Sequence, residues 1–186
     1  ALPVLPSGTT YESEIESESE GGRVVFITGS TGFVGTAVAN VLMSHTAKHP
    51  HSFRMVRLAR RLPEGNNGDT EKIGSWIEGD VAKPQLGLSD ELYRELVELL
   101  RGGLVVHAAA RVHLGLPYLA LRENAVGTQQ IVQLCREAGC RLVHFSSTDT
   151  QELFNPTTRN APSGYALSKW VAERVVEQSL QAGHFC

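Results

Sequence analysis

No window of these 186 residues comes near the roughly 18 consecutive apolar residues that a membrane span requires. The amino end has no basic-then-apolar secretion pattern. There is no basic excess either: a net charge of -3 and a pI near 6.2 exclude the cationic face that nucleic-acid binding demands. Cysteine is scarce. Cys135, Cys140 and Cys186 are odd in number and lack metal-ligand spacing, which excludes a disulfide framework and predicts reduced thiols in a cytoplasmic protein. Three of the seven histidines, His45, His49 and His51, crowd into one polar loop after a helical pattern, so no metal site is expected.

What remains is ordinary for a globular domain with a core of its own: 41% hydrophobic residues and 20% charged. Residues 1–22 hold prolines and then the alternating Glu and Ser of "YESEIESESEGG". So little apolar content cannot offset ordering entropy, and a flexible linker is predicted there. From Arg23 the pattern alternates. Arg23–Thr28, Phe53–Ala59, Trp76–Val81, "LVVHAAA" and Arg141–Ser147 read as strands, with helices over Phe33–Ser44, Glu123–Ala138 and Tyr165–Gln181. "SDELYRELVELLRGG" adds a helix, with Ser89 and Asp90 able to cap it. Continuous apolar strands alternating with helices predict a doubly wound parallel α/β sheet, a Rossmann-like domain over residues 23–186. "GHFC" at the end reads as the start of another strand.

Gly29, Gly32 and Gly35 in "TGSTGFVG" stand where the first strand meets the first helix. There a first glycine permits a tight turn, a second lets a pyrophosphate approach the backbone, and a third lets helix and strand touch. The helix amino end then offers unpaired N–H groups and partial positive charge to phosphates. At the end of the second strand an acidic side chain selects NAD, through the ribose 2′-hydroxyl, and an arginine accommodates the 2′-phosphate of NADP. Between Phe53 and Leu62 there is no acid, while Arg60 and Arg61 sit at the strand end, which predicts NADPH.

Tyr165 and Lys169, four apart, share one helix face. A phenol is a poor acid at neutral pH, but an adjacent ammonium favours the phenolate and readies Tyr165 to give a proton to a developing alkoxide. A hydroxyl from "HFSSTDT" would stabilise charge on the substrate oxygen; Ser147 is preferred, with Ser146 and Thr148 as alternatives.

"TGSTGFVG" resembles the glycine signature of extended short-chain dehydrogenases/reductases, which implies that Thr31, Phe33 and Val34 join the three glycines in the dinucleotide loop. By the same resemblance Asp80 and Val81 of "GDV" contact the adenine, Ala108 and Ala109 of "HAAA" pass under the nicotinamide ribose, and Lys169 also holds that ribose. A narrower likeness lies in "GDVAKPQLGLSDELYREL", "VVHAAARVHLGLPYLALRENAVGT" and "YALSKWVAE". These resemble the thioester reductase domains that end nonribosomal peptide and polyketide assembly lines. The resemblance implies NADPH-dependent release of an acyl or peptidyl chain, as an aldehyde or alcohol, from the phosphopantetheine of an upstream carrier domain. It also implies that Asn124 holds the fourth- and fifth-strand region in place, and that a substrate-binding region follows beyond Cys186. The other readings are a cyclising or non-catalytic nucleotide-binding relative, and a sugar-nucleotide epimerase using NAD.

Overall fold

β1 (Arg23–Thr28) reads RVVFIT and is buried from its second residue on, as expected of a strand covered on both faces. A computed structural model describes residues 23–49, 52–63, 75–153 and 162–183. β1 lies at the centre of a five-stranded sheet with β2 (Phe53–Ala59), β3 (Ser75–Glu78), β4 (Leu104–His107) and β5 (Arg141–His144) in the order β3-β2-β1-β4-β5. Every pairing is parallel. Thr28 stands opposite both Leu58 and His107, and His107 opposite His144, so all five strands finish at one edge. The chain turns to β2 on one side of β1 and returns to β4 on the other, which opens a crevice at that edge.

Alternate residues of β1 serve the two faces. Val24 and Phe26 pack with Tyr93, Leu96 and Leu100 around α2 (Asp90–Leu99), and with Ile131 and Leu134 of α4 (Glu123–Ala138). Val25 and Ile27 pack with Ala39 of α1 (Phe33–Lys48). Fully burying a side chain such as Phe26 or Ile27 stabilises the fold by about 1.5–3 kcal/mol. Ser89 caps α2 by accepting from the Leu92 N–H at 3.2 Å, as its position predicts. α4 stops at Gly139, which takes the left-handed φ of 60°. α6 (Gly164–Gln181) packs on α4 and begins with Ser163 accepting from Ala166 N–H at 3.0 Å.

Three strands end earlier than the residue pattern predicts. β3 stops at Glu78 because Asp80 N–H turns back to the Leu86 carbonyl at 2.6 Å. β4 stops at His107: Ala108 N–H still reaches Thr28 oxygen at 3.2 Å, and the alanines then leave the sheet. β5 stops at His144, where Phe145 N–H reaches the His107 carbonyl at 3.1 Å and the following residues coil into the one-turn helix α5 (Asp149–Glu152). Another one-turn helix, α3 (Tyr118–Leu121), precedes α4. α1 runs on to Lys48 instead of ending at Ser44.

The turn Pro84–Gly87 was not foreseen. Gln85 and Leu86 take left-handed φ angles of 50° and 58°, each costing on the order of 1–2 kcal/mol in a non-glycine residue. The twist drives Leu86 into the core with no exposure, and its carbonyl anchors Asp80. Burial of the leucine offsets the strain. The predicted linker over 1–22, His51, the strand start at 184–186 and much of the stretch before Tyr165 lie outside the described residues.

Candidate functional site

A cleft of about 310 Å³ opens where the strands finish. Its floor includes Gly29, Thr31 and Gly32 from the glycine turn, and Ala108 and Ala109 after β4. Gly29 has φ of 72°, and a Cβ there would lie 2.5 Å from the Ala109 nitrogen. Gly32 N–H closes the turn on the Gly29 carbonyl at 2.9 Å. A Cβ on Gly35 would lie 2.2 Å from that same carbonyl, so the helix touches the turn only because the third glycine is bare. Gly32 offers α1 no side-chain cap, and the first turn carries no acidic residue. A helix amino end left so is suited to an anion. These glycines therefore fit a dinucleotide: a cradle that any side chain would fill, facing uncapped N–H groups.

The structure brings most of the predicted cofactor residues to this cleft. Arg60 lines it directly after β2, beside Asp80 and Val81. Asp80 is held in place at its backbone by Leu86, and its carboxylate accepts from Ala82 N–H at 3.0 Å. Gly127 of α4 would meet Val81 at 2.9 Å if it carried a Cβ, so α4 supports this side closely. Arg61 is exposed past the strand end and does not line the cleft. Phe33, 93% exposed, and Val34 stand outside it on the first turn of α1.

Below the floor lies a buried chain of hydrogen bonds. The Thr128 hydroxyl gives its only hydrogen to the Asn124 carbonyl at 2.9 Å, so toward His107 Nε2, at 3.2 Å, it accepts. Nε2 therefore carries the proton, and Nδ1 accepts from Thr28 Oγ1 at 2.7 Å. Burial pushes His107 well below the usual histidine range, with His144 and Lys169 adding to the effect, and the ring stays neutral. Asn124 fastens the cleft to α6. Its carboxamide accepts from Arg111 N–H at 2.7 Å and donates to the Arg111 carbonyl at 3.0 Å and to Ser168 Oγ at 2.9 Å. Ser168 in turn donates to the Tyr165 carbonyl at 2.8 Å.

Tyr165 and Lys169 follow on that helix. The ammonium of Lys169, only 3% exposed, donates to the Phe145 carbonyl at 2.7 Å. Burial pushes it down to about 8, against an opposing pull from Glu173. Tyr165 differs from the expectation of a phenol lowered by the ammonium. Burial and the Asp149 carboxylate raise it, and a hydrogen bond with Ser147 works the other way. Lys169 instead spends a hydrogen on Phe145, at the end of β5. Of the three candidate hydroxyls, Ser147 is the one that acts on the Tyr165 phenol, drawing it down against burial and Asp149. Ser146 donates to Glu173, and Thr148 is exposed ahead of α5.

Residue patterns gave no notice of Ser168, Glu173 or Arg111. A serine beside the Tyr-Lys pair and a Glu one turn after Lys169 read as routine helix surface. Arg111, which lines the cleft and pairs with Glu123 at 3.4 Å, sits in a loop without periodicity.

The chain is similar to known proteins. A glycine betaine reductase of Emericella nidulans is 28% identical over 97% of this chain and 16% of its own length. A nonribosomal peptide synthetase of Aspergillus aculeatus is 32% identical over 98% of this chain and 12% of its own. Among solved structures, the terminal R domain of the myxalamid PKS-NRPS biosynthetic pathway superposes with a TM-score of 0.71 at 25% identity, over 89% of this chain and 47% of that domain. The chain thus spans a sixth or less of these curated relatives and about half of the solved domain. Residues 27–185 match the family described as male sterility protein, and the chain belongs to that family of NAD-binding domains, to which the terminal reductase domains of peptide and polyketide synthetases are related.

Proposed function

We propose that this chain carries the cofactor site and proton-donating residues of an NADPH-dependent thioester reductase, which releases an acyl or peptidyl chain from the phosphopantetheine of an upstream carrier domain as an aldehyde. The observation that carries the reading is the Asn124–Ser168 link, which fastens the wall of a glycine-built cleft to the helix bearing Tyr165 and Lys169. When bound, the cofactor supplies hydride to the thioester carbonyl. Ser147 orients the carbonyl oxygen, and the Tyr165 phenol gives its proton to that oxygen as charge develops there. The resulting hemithioacetal breaks its C–S bond, the thiol leaves with a proton, and the acyl carbon has gained two electrons. Lys169 holds the nicotinamide ribose, its ammonium kept in place by the Phe145 carbonyl. Gly29, Thr31, Gly32 and Gly35 cradle the pyrophosphate, with Phe33 and Val34 contributing backbone N–H groups. Arg60, assisted by Arg61, receives the 2′-phosphate, while Asp80 and Val81 take the adenine and Ala108 and Ala109 the ribose. The reaction is assigned to the cytoplasm, where NADPH and free thiols coexist.

Calorimetric titration with NADPH and with NADH tests this. NADPH is expected to bind more tightly, and Arg60→Ala to weaken it by about 10- to 100-fold, the worth of one charge-assisted bond to the 2′-phosphate, leaving NADH unchanged. Preference for NADH would favour an epimerase-like relative. Binding of neither would leave no reductase site. With NADPH bound, an acyl-thioester assay then separates reduction from cyclisation by the product, aldehyde or ring.

A further inference from the structure

Glu173 has no part in the reading above, yet its carboxylate bonds the segment that carries Ser147 on both sides of that serine. It lies one turn beyond Lys169 and two beyond Tyr165, on the same face of α6. One carboxylate oxygen accepts from both Ser146 Oγ and Thr150 Oγ1, the latter at 2.9 Å. The other lies 3.8 Å from Arg174, whose guanidinium is already paired with Glu177. Thr150 has a single hydroxyl hydrogen, shared between this carboxylate and the Ser147 carbonyl at 2.7 Å, so the carboxylate reaches both ends of the segment that carries Ser147. Among the described residues, the titratable groups acting on Lys169 are His144 from β5, His107 from β4 and Glu173 from its own helix, and of these Glu173 is the anion. Both nitrogens of His144 are buried without a hydrogen-bond partner, so that ring gives the ammonium no counter-charge.

We propose that Glu173 is a positioning residue: it clamps residues 146–150 onto α6 so that Ser147 faces Tyr165, and it supplies the counter-charge for Lys169. This rests on the reading that Ser147, Tyr165 and Lys169 are the reacting group. A carboxylate left as a mere surface partner of Arg174 would do neither.

Whole chain labelled with 13C at lysine Cε allows Lys169, one of four lysines, to be titrated by NMR, with Lys169→Gln assigning its signal. Glu173→Gln keeps an acceptor for Ser146 and Thr150 but loses the charge. It is expected to lower the Lys169 midpoint by about half a pH unit or more, the Coulomb effect of one charge at about 5–6 Å. Thr150→Val removes one donor and no charge. It is expected to leave Lys169 in place and raise the Tyr165 midpoint, read as tyrosinate absorbance against Tyr165→Phe, because Ser147 is loosened. A Lys169 midpoint that stays put in folded Glu173→Gln overturns the counter-charge; an unmoved Tyr165 in Thr150→Val overturns the clamp. NADPH titration of the wild-type sample judges the reductase reading separately. Failure to bind there sinks that reading and leaves both titrations standing.

Discussion

Replacing Gly29 by alanine separates two costs that the glycine turn hides. Alanine at φ of 72° loses about 1 kcal/mol for its left-handed backbone. Its Cβ would also lie 2.5 Å from the Ala109 nitrogen and 2.6 Å from the Ala108 carbonyl carbon and oxygen, all backbone atoms that cannot swing aside. Overpacking of this kind costs about 1–3 kcal/mol, so the total is about 2–4 kcal/mol. Gly102 is the control: its φ is 65°, and a Cβ there meets nothing within 4 Å. Gly102→Ala therefore bears only the backbone cost, and the entropy that alanine removes from the unfolded chain is common to both variants. At this chain length a loss of 1 kcal/mol lowers Tm by roughly 2–4 °C, so thermal unfolding should drop by about 2–4 °C for Gly102→Ala and roughly 5–15 °C for Gly29→Ala. NADPH affinity, measured at a temperature where both are folded, should fall only in Gly29→Ala. Equal losses of Tm with undiminished binding would refute the close approach of turn and alanines, and with it the cradle.

Asn124→Ala strips three hydrogen bonds, one buried and two part-buried, from the link between Arg111 and Ser168 and should cost about 2–3 kcal/mol in urea unfolding, with weaker NADPH binding as well. Leu86→Ala removes a fully buried side chain that offsets a strained turn, and about 2–5 kcal/mol of stability should go with it. Stability should also fall on acidification. His107 and His144, the latter pushed down to about 4 by burial, stay neutral in the fold, while the unfolded chain takes up protons below its ordinary value of about 6.5. The loss should begin near pH 6.5 and reach up to about 1.4 kcal/mol per pH unit for each ring, and His144→Phe should flatten it. A profile that stays level from pH 7 to pH 5 by chemical denaturation would contradict the burial of both rings.

The sheet was legible because β1, β2 and β4 are rich in apolar residues, with Gly29 just after β1 and Arg60 just after β2. The glycine turn, Asp80 and the Tyr165–Lys169 pair could be singled out because the role proposed for each restricts residue type at a fixed spacing. Strand ends at Glu78, His107 and His144 were not, since hydrophobicity continues through "HAAA" and "HFSS" after the ladder has stopped; hydrogen bonds set those limits. The Gln85–Leu86 twist carries no signal at all, because neither residue favours a left-handed backbone and only the core beneath explains it. Glu173 was hidden for a different reason. A carboxylate four residues past a lysine is ordinary on any exposed helix, and only the fold turns that face inward toward Ser146 and Thr150.

The pairing of Thr28 with His107 joins residues 79 positions apart. The glycine turn belongs to the first βαβ unit, whereas its floor of alanines arrives only when β4 docks beside β1, after α1, β2, β3 and α2 have been threaded between. Contacts so distant along the chain are slow to form, because loop closure is costly before any packing compensates it. During synthesis the segment through β2 thus exists for a time with its phosphate turn present and its floor missing. A dinucleotide can select only the state in which both have met, so its first effect on this chain is on the clock of unfolding: occupancy should hold β4 against β1 and lengthen the lifetime of the folded sheet.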